Sequence, residues 1–276
     1  MPWILWLLIA IFGAAIERIC NRYVIFKSGK EWEYMLGYNI GAMVLLAALM
    51  GKGFGRIEAW ILGLLFLSGC FWFVYCWLSF KADRFVEVTV TSILSQLQVV
   101  FVCLGGIVFF EEKLAAIQWT GIIVVLLGLC ILIQPRQVTL SKGVYYKLIS
   151  TVAMSAALLF DKKLISVCDP AVVALSGFLI PTLIAITCHP KNVGAASRFI
   201  FESRFLNVLM GALAALTYYS IVKAFSVAPI SIVFSIFQLS VVLTVLLGIL
   251  FLHEKDRIMA KLAAAVMVAL GTMMLS

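Results

Sequence analysis

Few side chains in this sequence could do chemistry, and most of those lie inside long apolar runs. Glu17 falls about 15 residues into the first run, about 22 Å along a helix, with Asn21 one turn further on the same face. An ionised carboxylate at that depth is costly unless it is paired, hydrated or protonated. Two readings fit these residues. Either Glu17 and Asn21 line a wet cavity and meet a polar substrate or a proton, or they join Arg18 and Arg22 in a cluster that snorkels to the headgroups. Asp161 sits at the matching depth of a later run, where Asp161-Lys162-Lys163 either faces inward or marks a helix end. Gln96 and Gln238 each stand near the middle of an otherwise apolar run, where an unsatisfied amide is expensive. Ser92 precedes Gln96 by one turn, and Ser231, Ser235 and Gln238 share a face. Each stripe can hydrogen-bond a substrate or tie helices together. Tyr75 and Tyr218, in aromatic-rich stretches, bring hydroxyls that need partners when buried, whether in a cavity wall or in packing. The substrate-binding candidates are therefore Glu17, Asn21, Tyr75, Gln96, Asp161, Tyr218 and Gln238.

Catalytic constellations are not evident. The two histidines, His189 and His253, stand apart near the ends of runs, and the seven cysteines are scattered without a C-x-x-C. No acidic pair has ligand spacing, so neither a metal nor a cofactor is expected, and no residue reads as catalytic. A Walker-type phosphate loop is missing as well, which removes ATP as a driving force. An intramembrane enzyme, such as a lipid-linked transferase, is the weaker reading for these reasons. A flippase for a lipid-linked intermediate is the other alternative.

The elements that must position these residues follow from composition. The chain is 64% hydrophobic and 12% charged, with a mean hydropathy of +1.14. Soluble domains carry roughly 25% charged residues, so the solvent for this chain is a lipid bilayer. The formal charge of +8 sits at the ends of apolar runs, where it anchors helices, and offers no basic face to nucleic acid. The N-terminal run lacks a basic n-region and reads as a first helix, not a cleaved signal. Ten segments are long and apolar enough to span, or nearly so: about 2–25, 34–51, 57–80, 86–110, 114–134, 145–168, 170–188, 205–224, 228–252 and 258–275. Pro181 falls inside the seventh and can bend it.

The run from Lys81 to Lys113 recurs, without a gap, from Lys223 to Lys255. Matched positions include Gln96 with Gln238, Gly106 with Gly248 and Glu112-Lys113 with Glu254-Lys255. Asn21-Arg22 corresponds to Asp161-Lys162 at nearly the same offset. A period this long means two copies of one structural unit. Five spans per copy, an odd number, invert the second copy in the membrane. The expected fold is thus an all-α integral membrane protein of ten transmembrane helices, arranged as two inverted five-helix repeats. It forms a single membrane domain over 1–276, with repeat one about 1–135 and repeat two about 143–276.

The stretches from Gly105 (GGIVFFEEKLAAIQWTGIIVVLLGLCIL) and Gly248 (GILFLHEKDRIMAKLAAAVMVALGTMML) resemble the drug/metabolite transporter superfamily, specifically its ten-helix EamA-type members. The resemblance covers essentially the whole chain. It implies a transporter whose central cavity is lined by spans 1, 3, 4, 6, 8 and 9, with spans 2, 5, 7 and 10 peripheral and both termini cytoplasmic. Loop charges point the other way, because the side opposite the N-terminus holds more Lys and Arg and would be the cytoplasmic one. The expected function is secondary transport of a small polar or amphipathic metabolite by alternating access of the two repeats. The partners are a small-molecule substrate and the lipid bilayer of a plasma membrane or bacterial inner membrane. Proton coupling through Glu17 and a homodimer are both left open. Mixed acids and bases (Glu17, Arg18, Asp161, Lys162) suit a zwitterion without selecting one.

Overall fold

The computed structural model describes residues 2–49, 58–110, 115–132, 141–190, 193–202, 204–227, 233, 236–237, 239–253 and 258–274. All regular structure among the described residues is helical: α1 (Pro2–Ser28), α2 (Glu31–Leu49), α3 (Ala59–Phe85), α4 (Val88–Leu94), α5 (Leu97–Phe110), α6 (Ala116–Leu132), α7 (Lys142–Ile165), α8 (Pro170–Cys188), α9 (Val193–Glu202), α10 (Arg204–Val227), α11 (Leu239–Phe251) and α12 (Ile258–Met273). Among the described residues, five stretches are long and apolar enough to cross a bilayer: Trp3–Ser28, Ala59–Phe85, Val88–Phe109, Lys142–Ile165 and Pro170–Cys188. Shorter apolar helices accompany them at Ala116–Gly128, Leu239–Phe251 and Ile258–Met273. Large apolar side chains such as Leu5, Phe66, Phe109 and Leu250 are exposed, as they are where hydrocarbon replaces water.

Local chemistry sets several boundaries. Gly29, at φ +62°, ends α1 in a left-handed turn and donates its N–H to the Ile25 carbonyl at 2.9 Å, a conformation glycine adopts without strain. Glu31 and Glu33 occupy the first turn of α2, where the helix dipole favours negative charge. Ser141 caps α7 by accepting from the Val144 N–H, and Asp169 caps α8 by accepting from the Ala171 N–H at 2.7 Å, with Pro170 opening the helix. Pro181 is buried within α8, which continues through it.

Four features depart from the sequence reading. The fourth span is broken where a single helix over 86–110 was expected. At Ser95–Gln96 the Gln96 N–H turns to the Ile93 carbonyl and the Gln98 N–H to the Ser95 carbonyl, each at 3.0 Å and three residues back where an α-helix needs four. Ser95 Oγ also donates to the Thr91 carbonyl at 2.7 Å, and this side-chain bond competes with the helical ladder. The third span runs to Phe85, so Lys81-Ala82-Asp83-Arg84 forms its last turn instead of a loop. A short helix, α9, lies between the spans expected over 170–188 and 205–224. Finally, Lys147 and Lys261, which the placing of charge at the ends of apolar runs puts at the membrane surface, are buried, and Lys261 Nζ pairs with Glu87 at 2.5 Å.

Apolar packing divides into two principal groups. One joins α1, α2, α3, α8 and α10 through residues such as Ile25, Met35, Phe73, Phe178 and Ala215. The other joins α4, α5, α6, α11 and α12 through Ile93, Val99, Val125, Val245 and Val268. The most extensive helix contacts are α3 with α7, α6 with α12, α2 with α10, α1 with α10 and α3 with α8. The α2–α10 contact depends on glycine: a Cβ on Gly211 would stand 2.3 Å from the Tyr38 carbonyl oxygen, so only a residue without one permits this approach.

Candidate functional site

A chamber of about 140 Å³ opens among these helices. One water needs at least about 10–15 Å³ by this measure, so the space holds several waters or a small organic molecule. Its wall draws on α1, α3, α7 and α10, and on Val88–Gln98 of the broken fourth span. Phe237 lines it too. Tyr38 of α2 and Gly177 and Phe178 of α8 are also on the wall, so the second and seventh spans, which the resemblance places at the periphery, reach the chamber.

Glu17 faces this space from α1. Its Oε1 accepts from the Tyr38 hydroxyl at 2.5 Å and from Asn21 Nδ2 at 3.5 Å, while Asn21 Oδ1 accepts from the Tyr34 hydroxyl at 2.6 Å. One turn of α1 is thereby tied to α2. Arg18, also on the wall, leaves Nη1 enclosed with no hydrogen-bond partner. Further along, Lys147 Nζ donates to Ser79 Oγ at 3.0 Å and lies 5.9 Å from the centre of the Tyr75 ring. Asp83 Oδ1 accepts from the Thr91 hydroxyl at 3.3 Å. The charges of Arg18, Asp83 and Lys147 act on one another.

Asp161 is held differently. Its Oδ1 accepts from Ser68 Oγ at 2.7 Å, and its Oδ2 from Trp72 Nε1 at 3.0 Å and the Tyr218 hydroxyl at 2.6 Å. It is buried behind the wall, while Trp72 and Tyr218 form part of that wall. Of the seven candidates, Glu17, Asn21, Tyr75, Gln96 and Tyr218 converge on the chamber. Asp161 stands one residue back, and Gln238 lies outside the described residues. Gln96 takes its place at the break between α4 and α5, with Oε1 enclosed and unpartnered.

Sequence reasoning missed Tyr38, Asp83 and Lys147 as wall residues. Signals for two of them were present. No Pro or Gly interrupts Lys81–Val86, so α3 could continue past its charges and carry Asp83 inward. Ser141 is a good helix cap, and starting α7 there places Lys147 more than one turn inside. Tyr38 had no comparable signal.

Chamber, helices and apolar exterior define a class: a multi-pass, all-helical membrane protein with a polar interior. The comparisons narrow it. Residues 1–134, just under half of the chain, match the EamA-like transporter family, which lies within the drug/metabolite transporter superfamily. A protein of known crystal structure, 15% identical in sequence, shares the fold with a TM-score of 0.65, over 96% of this chain and 97% of that one. No curated protein matches the sequence.

Proposed function

We propose that the protein is a secondary transporter that carries a small polar or amphipathic metabolite through this chamber by alternating access. One observation carries the reading: a polar, charged chamber enclosed by an EamA-like, multi-pass helical bundle with an apolar exterior. Such a space has no role in passive packing, because charges in a low-dielectric interior must be compensated.

On this reading the chain is one membrane domain of ten spans in two inverted repeats. The helix contacts support it, since they map onto themselves when the halves are exchanged. The α1–α10 contact exchanges with α7–α3, α2–α10 exchanges with α8–α3, and α6–α12 exchanges with itself. A pseudo-two-fold relation lets one gate open as its counterpart closes. The break at Ser95–Gln96 is of the kind found where transporter helices unwind at a substrate site. Glu17 is the candidate for proton coupling, because it faces the chamber.

Purified protein in proteoliposomes should show saturable counterflow of a labelled small metabolite, without ATP. Glu17→Gln should abolish or reshape the pH dependence of that flux, and an unchanged profile removes Glu17 from proton coupling. Product formation by detergent-solubilised protein, with no flux in vesicles, would instead favour an intramembrane enzyme.

A further inference from the structure

The enclosed, unpartnered atoms of the chamber wall include the donors Arg18 Nη1 and Gln98 Nε2, and neither of its bases touches a carboxylate among the described residues. Glu17 already accepts from Tyr38 and Asn21, and Asp83 accepts from Thr91. Lys147 is 6% exposed, yet its ammonium, with three donors, has one protein acceptor, the neutral Ser79 hydroxyl. Arg18 Nη1 and Gln98 Nε2 are enclosed and unpartnered on the same wall. Among the described residues no carboxylate oxygen lies within 4.0 Å of the Arg18 or Lys147 nitrogens. Arg18 and Lys147 act on each other as like charges, and the Asp83 carboxylate acts on both through space without touching either, so a bound anion supplies the close partner that neither base has.

Resting on the transporter reading, we infer that Arg18 and Lys147 form an anion subsite in the chamber and that the transported molecule is a soluble organic carboxylate with an apolar body. The carboxylate would take charge-assisted bonds from the guanidinium and the ammonium. Trp72, Tyr75, Phe178, Tyr218 and Phe237 supply the apolar and aromatic surface for the body. Gln96 Oε1, the enclosed acceptor without a partner, accepts from a hydroxyl or N–H on the same molecule. This narrows the zwitterion of the sequence reading: Asp161 accepts three hydrogen bonds and stands behind the wall, whereas Arg18 and Lys147 on the wall have no carboxylate in direct contact among the described residues.

The test uses the full chain in phosphatidylcholine nanodiscs and a matched probe set: phenylacetate, phenylacetamide and phenethylammonium, joined by lactate and indole-3-acetate as further carboxylates. Binding is read by calorimetry and thermal shift. At least one carboxylate is expected to bind, and phenylacetamide and phenethylammonium to bind more weakly than phenylacetate. Arg18→Gln and Lys147→Gln should each weaken carboxylate binding by roughly tenfold to a hundredfold, the range for a lost charged hydrogen bond, with partial rescue by Arg18→Lys. Equal binding of all three head groups, no binding by any carboxylate, or unchanged binding in the double variant overturns the subsite. So does loss of carboxylate binding when phosphatidylglycerol is added to the nanodisc, since a lipid headgroup would then be the occupant. If either variant fails to fold, competition by the probes for counterflow in the unaltered protein decides the same point. Flux of neutral or cationic probes alone sinks the anion subsite but not the transporter. Carboxylate binding without flux sinks the transporter but not the subsite.

Discussion

Glu17 in α1 and Asp161 in α7 are both acids inside long apolar helices, and the protein treats them in opposite ways. Asp161 accepts three hydrogen bonds, from Ser68, Trp72 and Tyr218, and is closed off behind the chamber wall. Glu17 accepts one short bond from Tyr38 and a long one from Asn21, and faces the chamber with Arg18 beside it. An ionised carboxylate has roughly four lone-pair sites, so Asp161 is close to filled and Glu17 is not. A buried acid with its acceptors filled is a structural tie between helices, here α3, α7 and α10. One with spare capacity, facing an open space, can change partners. Two acids in similar apolar helices can therefore serve packing in one case and exchange in the other.

The largest effect should come from breaking the Asp161 tie. Asp161→Ala leaves three enclosed donors without an acceptor, each worth about 1–3 kcal/mol when unsatisfied, so a loss of about 3 kcal/mol or more is expected. Asp161→Asn keeps a carbonyl acceptor and should recover about half. Glu17→Ala, which frees the Tyr38 hydroxyl beside an open chamber, should cost less. Thermal and denaturant unfolding of the purified variants would rank them, and equal losses for Asp161→Ala and Glu17→Ala would break the comparison.

Next comes Gly211→Ala, which attacks the Glu17 side indirectly. The new methyl would collide with the backbone of α2 at Tyr38 and Ala42, at 2.3 and 2.6 Å, and backbone cannot rotate away. Overpacking of this sort costs about 1–3 kcal/mol. It should push α2 off α10, draw the Tyr38 hydroxyl away from Glu17 and lower flux more than an equally destabilising change elsewhere. Gly63→Ala, whose added methyl meets nothing within 4 Å, is the matched control.

Much of this architecture was legible in the sequence, because a bilayer constrains length and polarity so tightly that apolar runs, their exits and Glu17, Asn21 and Gln96 within them stand out. Asp83 and Lys147 were hidden for the same reason: charges near the end of an apolar run read as headgroup anchors unless the helix boundary is known to within a turn. The break at Ser95–Gln96 was invisible because it arises from competition between the Ser95 hydroxyl and the backbone ladder, and an apolar-run search sees only the average. Nor could the spacing show that Asp161 would be filled. Its partners come from Ser68, Trp72 and Tyr218, 57 to 93 residues away.

The smallest effects are also the most discriminating, because single hydroxyls separate stability from transport. Tyr218→Phe removes one of three donors to Asp161, and Tyr38→Phe removes the short donor to Glu17. Each should cost about 1 kcal/mol of stability, the usual worth of one such bond. Their consequences for flux should diverge. With Ser68 and Trp72 still holding Asp161, Tyr218→Phe leaves the helix tie standing and flux largely intact. Tyr38→Phe leaves Glu17 with only the 3.5 Å contact from Asn21, so the carboxylate is free to swing toward Arg18 and occupy the cation that a substrate would need. Flux in Tyr38→Phe should fall several-fold at a loss of stability no greater than in Tyr218→Phe. If the two hydroxyls prove interchangeable in both measurements, Glu17 is as much a structural tie as Asp161, and the chamber owes its activity to other groups.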